Sequence, residues 1–98
     1  MRVRILRSAI EDLARGWRFY DRQAEGLGDY FFDSLFSDVD SLALFGGIHG
    51  MKRGYHRLLA KRFPYAIYYR MEGGVVVVFR IIDCREAPAR TERKLGGS

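Results

Sequence analysis

The chain is poor in the residues that hold metals or staple a fold: one cysteine, two histidines and two prolines in 98 residues. Cys84 cannot close an internal disulfide, which suits a reducing cytoplasm. His49, His56 and Cys84 lack the tight spacing of metal ligands, so no metal site is expected, and no cofactor. No segment approaches the roughly 20 consecutive apolar residues that cross a bilayer, which excludes a membrane span. The opening MRVRILRSAIED has arginines but no long apolar run and no small-residue cleavage site, so no signal peptide is expected. Gly46-Gly47 and Gly73-Gly74 lack the strand–glycine–helix setting of a phosphate-cradling loop and read as turns. There is no internal repeat, linker or low-complexity tract.

What is present is ordinary for a globular chain. Hydrophobic residues make up 48% and aromatics 14% of the whole, enough for one modest core and one domain over residues 1–98. The net charge of +5 is unevenly spread. Residues 1–26 carry six bases and four acids, residues 27–47 four aspartates and no base, and residues 48–98 eleven bases and four acids. Fourteen of the seventeen bases are arginine, whose planar fork matches phosphate or carboxylate. A basic C-terminal half suits an anionic partner; it also suits a plain solvated surface.

Residues 2–7 alternate Val3 and Ile5 with Arg2, Arg4 and Arg7, which predicts a short strand near a sheet edge. Ser8-Ala9-Ile10-Glu11 has the form of a capping box and predicts a helix start. Ile10, Leu13, Ala14, Trp17 and Ala24 recur at helical spacing, with Phe19 and Tyr20 adding aromatic bulk. Gly26-Leu27-Gly28 closes this helix, and Asp29 can cap the next. That second helix runs over about Tyr30 to Leu44. Phe32, Leu35, Phe36, Val39 and Leu42 form its apolar stripe, and Asp33, Ser37, Asp38, Asp40 and Ser41 its wet face. Three strands follow, Tyr55 to Ala60, Tyr65 to Met71 and Val75 to Asp83, rich in the branched and aromatic residues that suit a pleated surface. A short helix over about Ala89 to Leu95 begins near Pro88, and Gly96, Gly97 and Ser98 are expected to fray. The pattern is α+β, β-α-α-β-β-β(-α): a small antiparallel sheet packed against a two-helix hairpin.

Strand parity divides the sheet residues. Val75, Val77, Phe79 and Ile81, with Ile67, Tyr69 and Met71, are expected to face the helices. Val76, Val78, Arg80, Ile82 and Cys84, with Ala66, Tyr68 and Arg70, are expected on the outer face. Arg70 and Arg80 would then share a surface with exposed apolar groups, fit for a nucleic acid or a protein segment. On this reading Arg80→Ala leaves folding intact and weakens binding.

The element order, together with Arg57-Leu58-Leu59, Phe63-Pro64-Tyr65-Ala66-Ile67-Tyr68-Tyr69-Arg70 and Ile81-Ile82-Asp83-Cys84-Arg85, resembles the RelE/ParE superfamily of bacterial toxins from type II toxin–antitoxin pairs. Ser8-Ala9-Ile10-Glu11-Asp12-Leu13 is similar to the first helix of that family. The likeness is closest to ParE-type, or plasmid-stabilisation, members. It implies growth inhibition and a cognate antitoxin partner, partly disordered and acidic in the segment that binds. RelE-like members cut messenger RNA on the ribosome; ParE-like members act on DNA gyrase by contact.

Ribonuclease chemistry needs charge stabilisation and proton transfer. Arg57, Lys61, Arg62, Arg70, Arg80 and Arg85 are the candidates for gripping phosphate or a protein target. Proton-transfer residues are not evident: Ala66 stands where relatives that cut often have arginine, and Cys84 and Arg85 where a histidine or tyrosine often follows the last strand. His56 and Glu86 are weaker candidates, read first as a polar strand residue and a surface charge. Three readings stay open: a gyrase-binding toxin without catalytic residues, an mRNA endonuclease, and a non-toxic module that binds only its antitoxin.

Overall fold

The computed structural model describes residues 1–96. In chain order the elements are β1 (Arg2–Ile5), α1 (Arg7–Gln23), α2 (Leu27–Phe45), β2 (Met51–Lys52), β3 (Tyr55–Leu59), β4 (Tyr65–Glu72), β5 (Val75–Asp83) and α3 (Pro88–Lys94). They form a five-stranded sheet in the order β1-β5-β4-β3-β2. The α+β architecture is the expected one, with two differences. The sheet is mixed, because β1 lies parallel to β5 while the other pairs are antiparallel. A two-residue strand, β2, adds an edge through a tight turn in which Arg53 and Gly54 both take positive φ. Two residues are too few to show a period of two, so β2 had no signature in the sequence. Gly73 and Gly74, also at positive φ, make the β4–β5 turn. Gly96 is tied by its N–H to the Arg93 carbonyl at 3.1 Å rather than fraying, and the expectation for Gly97 and Ser98 lies outside the described residues.

The helix hairpin covers one sheet face, but each helix is turned about its axis from the expected stripe. α1 buries Ala9, Asp12, Leu13, Gly16 and Tyr20, and leaves Ile10 and Phe19 exposed. α2 buries Phe31, Ser34, Leu35, Asp38, Val39 and Leu42, and leaves Phe32 and Phe36 on the surface. Ala9 and Gly16 both sit inward, and at Gly16 the missing side chain lets the two helices approach. A Cβ on Gly16 would run into Cε2 and Cζ of Phe31, so glycine on one helix makes room for the aromatic ring on the other. Asp38 leaves the expected wet face for a buried position, where Oδ2 accepts the Lys61 N–H at 3.1 Å and ties α2 to the β3–β4 loop.

The capping box does not form. α1 begins at Arg7, and the Ser8 hydroxyl instead donates to the Phe79 carbonyl at 2.6 Å. Asp29 is not a cap either: it accepts from Trp17 Nε1 at 2.9 Å, while Asp21 of α1 accepts the N–H groups of Gly26 and Gly28 at the start of α2. In both cases a tertiary partner takes a side chain that local sequence had assigned to its own helix end.

A β-bulge reverses half of the expected strand faces. Tyr68 pairs with Arg80 and Tyr69 with Val78, so Phe79 is the extra residue. Before the bulge, Val76 and Val78 face the helices, with Val77 on the outer side; Phe79 also lies outward, and Ile81 returns to the helix side. On β4 the expectation holds, with Ile67, Tyr69 and Met71 inward and Ala66 and Tyr68 outward. The outer face carries its own small core of Tyr55, Ala66, Tyr68, Ile82 and Leu95 under α3, with Phe79 stacked on Tyr55 at 5.0 Å. That end of the face is therefore covered, not open.

Candidate functional site

The six candidate cations fall into separate settings. Lys61 and Arg62 are exposed in the β3–β4 loop. Arg70 lies on the outer face, its guanidinium 4.1 Å above the Tyr55 ring. Arg85 follows β5 on the helix side: Nε and Nη2 reach Asp83 at 2.9 and 2.8 Å, and Nη2 also donates to the Tyr20 hydroxyl at 3.1 Å. Burial pushes the Asp83 carboxyl up, but hydrogen bonds from Arg85 outweigh that and hold it below the usual carboxylate range.

Arg80 is the main departure from expectation. Its Nε and Nη2 each donate to a different oxygen of Asp12 at 2.8 Å, and that carboxylate also accepts the Ile81 N–H at 2.9 Å. β1 ends at Ile5, so beyond Val78 the edge of β5 has no strand beside it. α1 fills the gap, and Asp12 supplies the acceptor a neighbouring strand would have supplied. The Asp12 hydrogen bonds raise the Arg80 pKa above the ordinary arginine value. This guanidinium is built into the fold rather than offered to a partner.

Arg57 opens a different feature. It lies on β3 opposite Tyr68 and lines a cavity of about 180 Å³ between the outer face and α3, with Lys52, Cys84, Glu86 and Thr91 around it. Arg53, from the β2–β3 turn, is ion-paired to Glu92 of α3 across this cleft. Arg57 Nε and Glu86 Oε2 are buried and have no hydrogen-bond partner among the described residues, while Glu86 Oε1 accepts from Lys94 Nζ at 2.5 Å.

Three cations missed by sequence reasoning join this side of the molecule. Val3 and Ile5 pack into the helix-side core, so Arg2 and Arg4 point to the outer face, beside Val75 and Val77 of β5. Lys52 arrives through β2, opposite Tyr55. The alternation at residues 2–5 signalled that the arginines lie opposite the core. The strand they would lie beside had no such signal.

A polar cluster holds the loop between α2 and β2. The buried Tyr69 hydroxyl accepts the Gly47 N–H at 2.9 Å, leaving its proton for His49 Nδ1 at 2.5 Å. His56 donates through Nδ1 to the His49 carbonyl at 2.6 Å and stacks on the Tyr69 ring. Burial, then the neighbouring His56, lowers the His49 pKa below the ordinary 6.5. The folded state thus binds fewer protons there than the unfolded chain, so stability falls as pH drops through 6.5. The thermal midpoint of the wild type is expected to decline over that range, and that of His49→Gln to decline less. A wild-type midpoint that stays level on acidification contradicts the assignment.

Among the described residues no helix is long and apolar enough to cross a membrane, and no group of three His, Cys, Asp or Glu side chains could hold a metal ion. The family model described as the ParE toxin of the type II toxin–antitoxin system parDE matches residues 3–88. The chain is also similar to a solved chain of the chromosomal ParDE TA system from P. aeruginosa, with a TM-score of 0.74 and 20% identity over 85% of this chain and 95% of that one. At that identity the likeness speaks for the fold. No curated protein sequence matches.

Proposed function

This chain belongs to the ParE toxin family of type II toxin–antitoxin systems, and from that membership we propose that it is a cytoplasmic toxin, neutralised by a cognate antitoxin, that arrests growth by gripping an essential protein, DNA gyrase first among the candidates. The match from Val3 to Pro88 carries the reading. The dispersal of the candidate cations supports contact over cleavage. Arg80 is locked on Asp12, Arg85 on Asp83, and Lys61 and Arg62 sit in a separate loop. A phosphorane needs its cations around one point. The antitoxin fits by charge, since an acidic segment complements residues 48–98.

Induction of the chain without its antitoxin is expected to stop growth while relaxed plasmid or gyrase-linked DNA breaks accumulate. Growth arrest with normal supercoiling removes gyrase as the target, and unimpaired growth favours the module that binds only its antitoxin. One observation favours a second reading, an mRNA endonuclease: Arg57 and Glu86, each with an unpartnered buried polar atom, line the same cleft. That reading requires new transcript ends within codons after induction, mapped by primer extension. Intact transcripts exclude it.

A further inference from the structure

The register brings three cations into one line across the whole sheet. Arg4 of β1 lies opposite Val77 of β5, Val77 opposite Arg70 of β4, the Arg70 guanidinium lies over Tyr55 of β3, and Tyr55 pairs with Lys52 of β2. Directly paired residues share a face, so Arg4, Arg70 and Lys52 stand in a transverse row on the side away from the helix hairpin. All three are exposed. Among the described residues none of them sits in an ion pair, whereas Arg15, Arg53, Arg80, Arg85 and Lys94 do. Arg2 extends the row's β1 end, with Glu72 across from it beyond Val75.

We propose that this row is a docking surface for the phosphate backbone of duplex DNA. Neighbouring strands lie about 4.8 Å apart, so cations two strands apart stand roughly 10 Å from one another. The grooves of B-DNA are about 6 and 12 Å wide, so adjacent members of the row can reach phosphates on opposite walls of one groove. Long arginine and lysine side chains take up the remaining difference. The floor beneath them argues for a duplex over a single strand. Tyr55 and Val77 are each only 5% exposed, and the Arg70 guanidinium covers the Tyr55 ring. No open aromatic surface lies within the row for unpaired bases to stack on. The contact reads backbone and not sequence. It goes beyond the growth-arrest reading and stands without it, because the purified chain tests it directly.

The test is a fluorescence-anisotropy titration of a labelled DNA duplex over a series of salt concentrations. Three phosphate contacts predict a slope of log affinity against log salt of about −3. Arg4→Ala and Lys52→Ala are each expected to bring the slope to about −2. Both side chains are exposed, so an unchanged thermal midpoint confirms that these variants remain folded. Arg22→Ala, in the last turn of α1, is expected to leave the slope unchanged. A slope near zero, an equal loss in Arg22→Ala, or tighter binding of the separated strand overturns the proposal. So does tighter binding of a polyglutamate of the same charge, which would assign the row to an acidic protein segment instead.

Discussion

Asp12→Ala is expected to lower stability by about 3–5 kcal/mol, the range for removing one partner of a buried ion pair. The substitution strips Arg80, whose side chain is 15% exposed, of both bonds to the carboxylate, and leaves the Ile81 N–H without an acceptor. For a domain near this size each kcal/mol moves the thermal midpoint by about 4–8 °C, so the shift is large enough to read in a single melt. Arg80→Ala is expected to act in the same direction, because it leaves a carboxylate that is 3% exposed with only Arg15 and the Ile81 amide. This replaces the expectation that Arg80→Ala spares folding: the side chain leaves the sheet face for the strand edge. Urea denaturation of both variants checks it, and a change under about 1 kcal/mol would show the pair to be no better than a surface one.

Phe31→Ala is the second large effect, at about 3–5 kcal/mol for a fully buried ring. Phe31 is 0% exposed and its ring centroid lies 5.0 Å from Tyr20, 5.1 Å from Phe63 and 4.9 Å from Tyr65. It joins α2, α1, the β3–β4 loop and β4 at one point, so its loss opens a cavity that three elements would have to collapse into. Its fit depends on Gly16. Gly16→Ala overfills that contact at a cost of about 1–3 kcal/mol, even though alanine is the better helix former by about 1 kcal/mol. The two sites must therefore couple: Phe31→Leu with Gly16→Ala is expected to be less destabilising than the sum of the single changes, by more than about 0.5 kcal/mol. Simple additivity in chemical denaturation would show that the ring does not rest on the glycine.

Elements with strong repeating patterns were legible. β3, β4 and β5 lie within a residue or so of the runs of Val, Ile, Tyr and Phe that announce them, and α3 begins at Pro88 as its proline suggests. The helix hairpin was legible too, but not its orientation. Ile10, Phe32 and Phe36 have the right spacing for a core stripe, yet the inward stripes include Ala9, Gly16, Ser34 and Asp38. Hydrophobicity favours large apolar residues for burial; close helix packing favours small ones at the crossing. On β5 a single unpaired residue, Phe79, exchanged the faces of the valines before it, because side chains alternate with a period of two and one extra residue flips the phase.

The candidate site was legible as a composition and not as a place. The arginine excess and the surplus of bases over acids after residue 48 are properties of the string. Which arginines are available is not. Arg80 and Arg85 are taken by Asp12 and Asp83, whereas Arg4 and Lys52 were gathered beside Arg70 from opposite ends of the sheet order.

By itself the sequence determined the class of fold, the order of its main elements, the toxin-family likeness and the basic character of the surface. Each rests on local periodicity or on composition, which need no partner to be read. Tertiary structure alone decided the parallel docking of β1, the bulge at Phe79, the rotation of the helices and the pairing of Asp12 with Arg80. Those depend on which distant segments meet, and a carboxylate or guanidinium takes whichever partner lies at the bare strand edge, however far away it is in the chain.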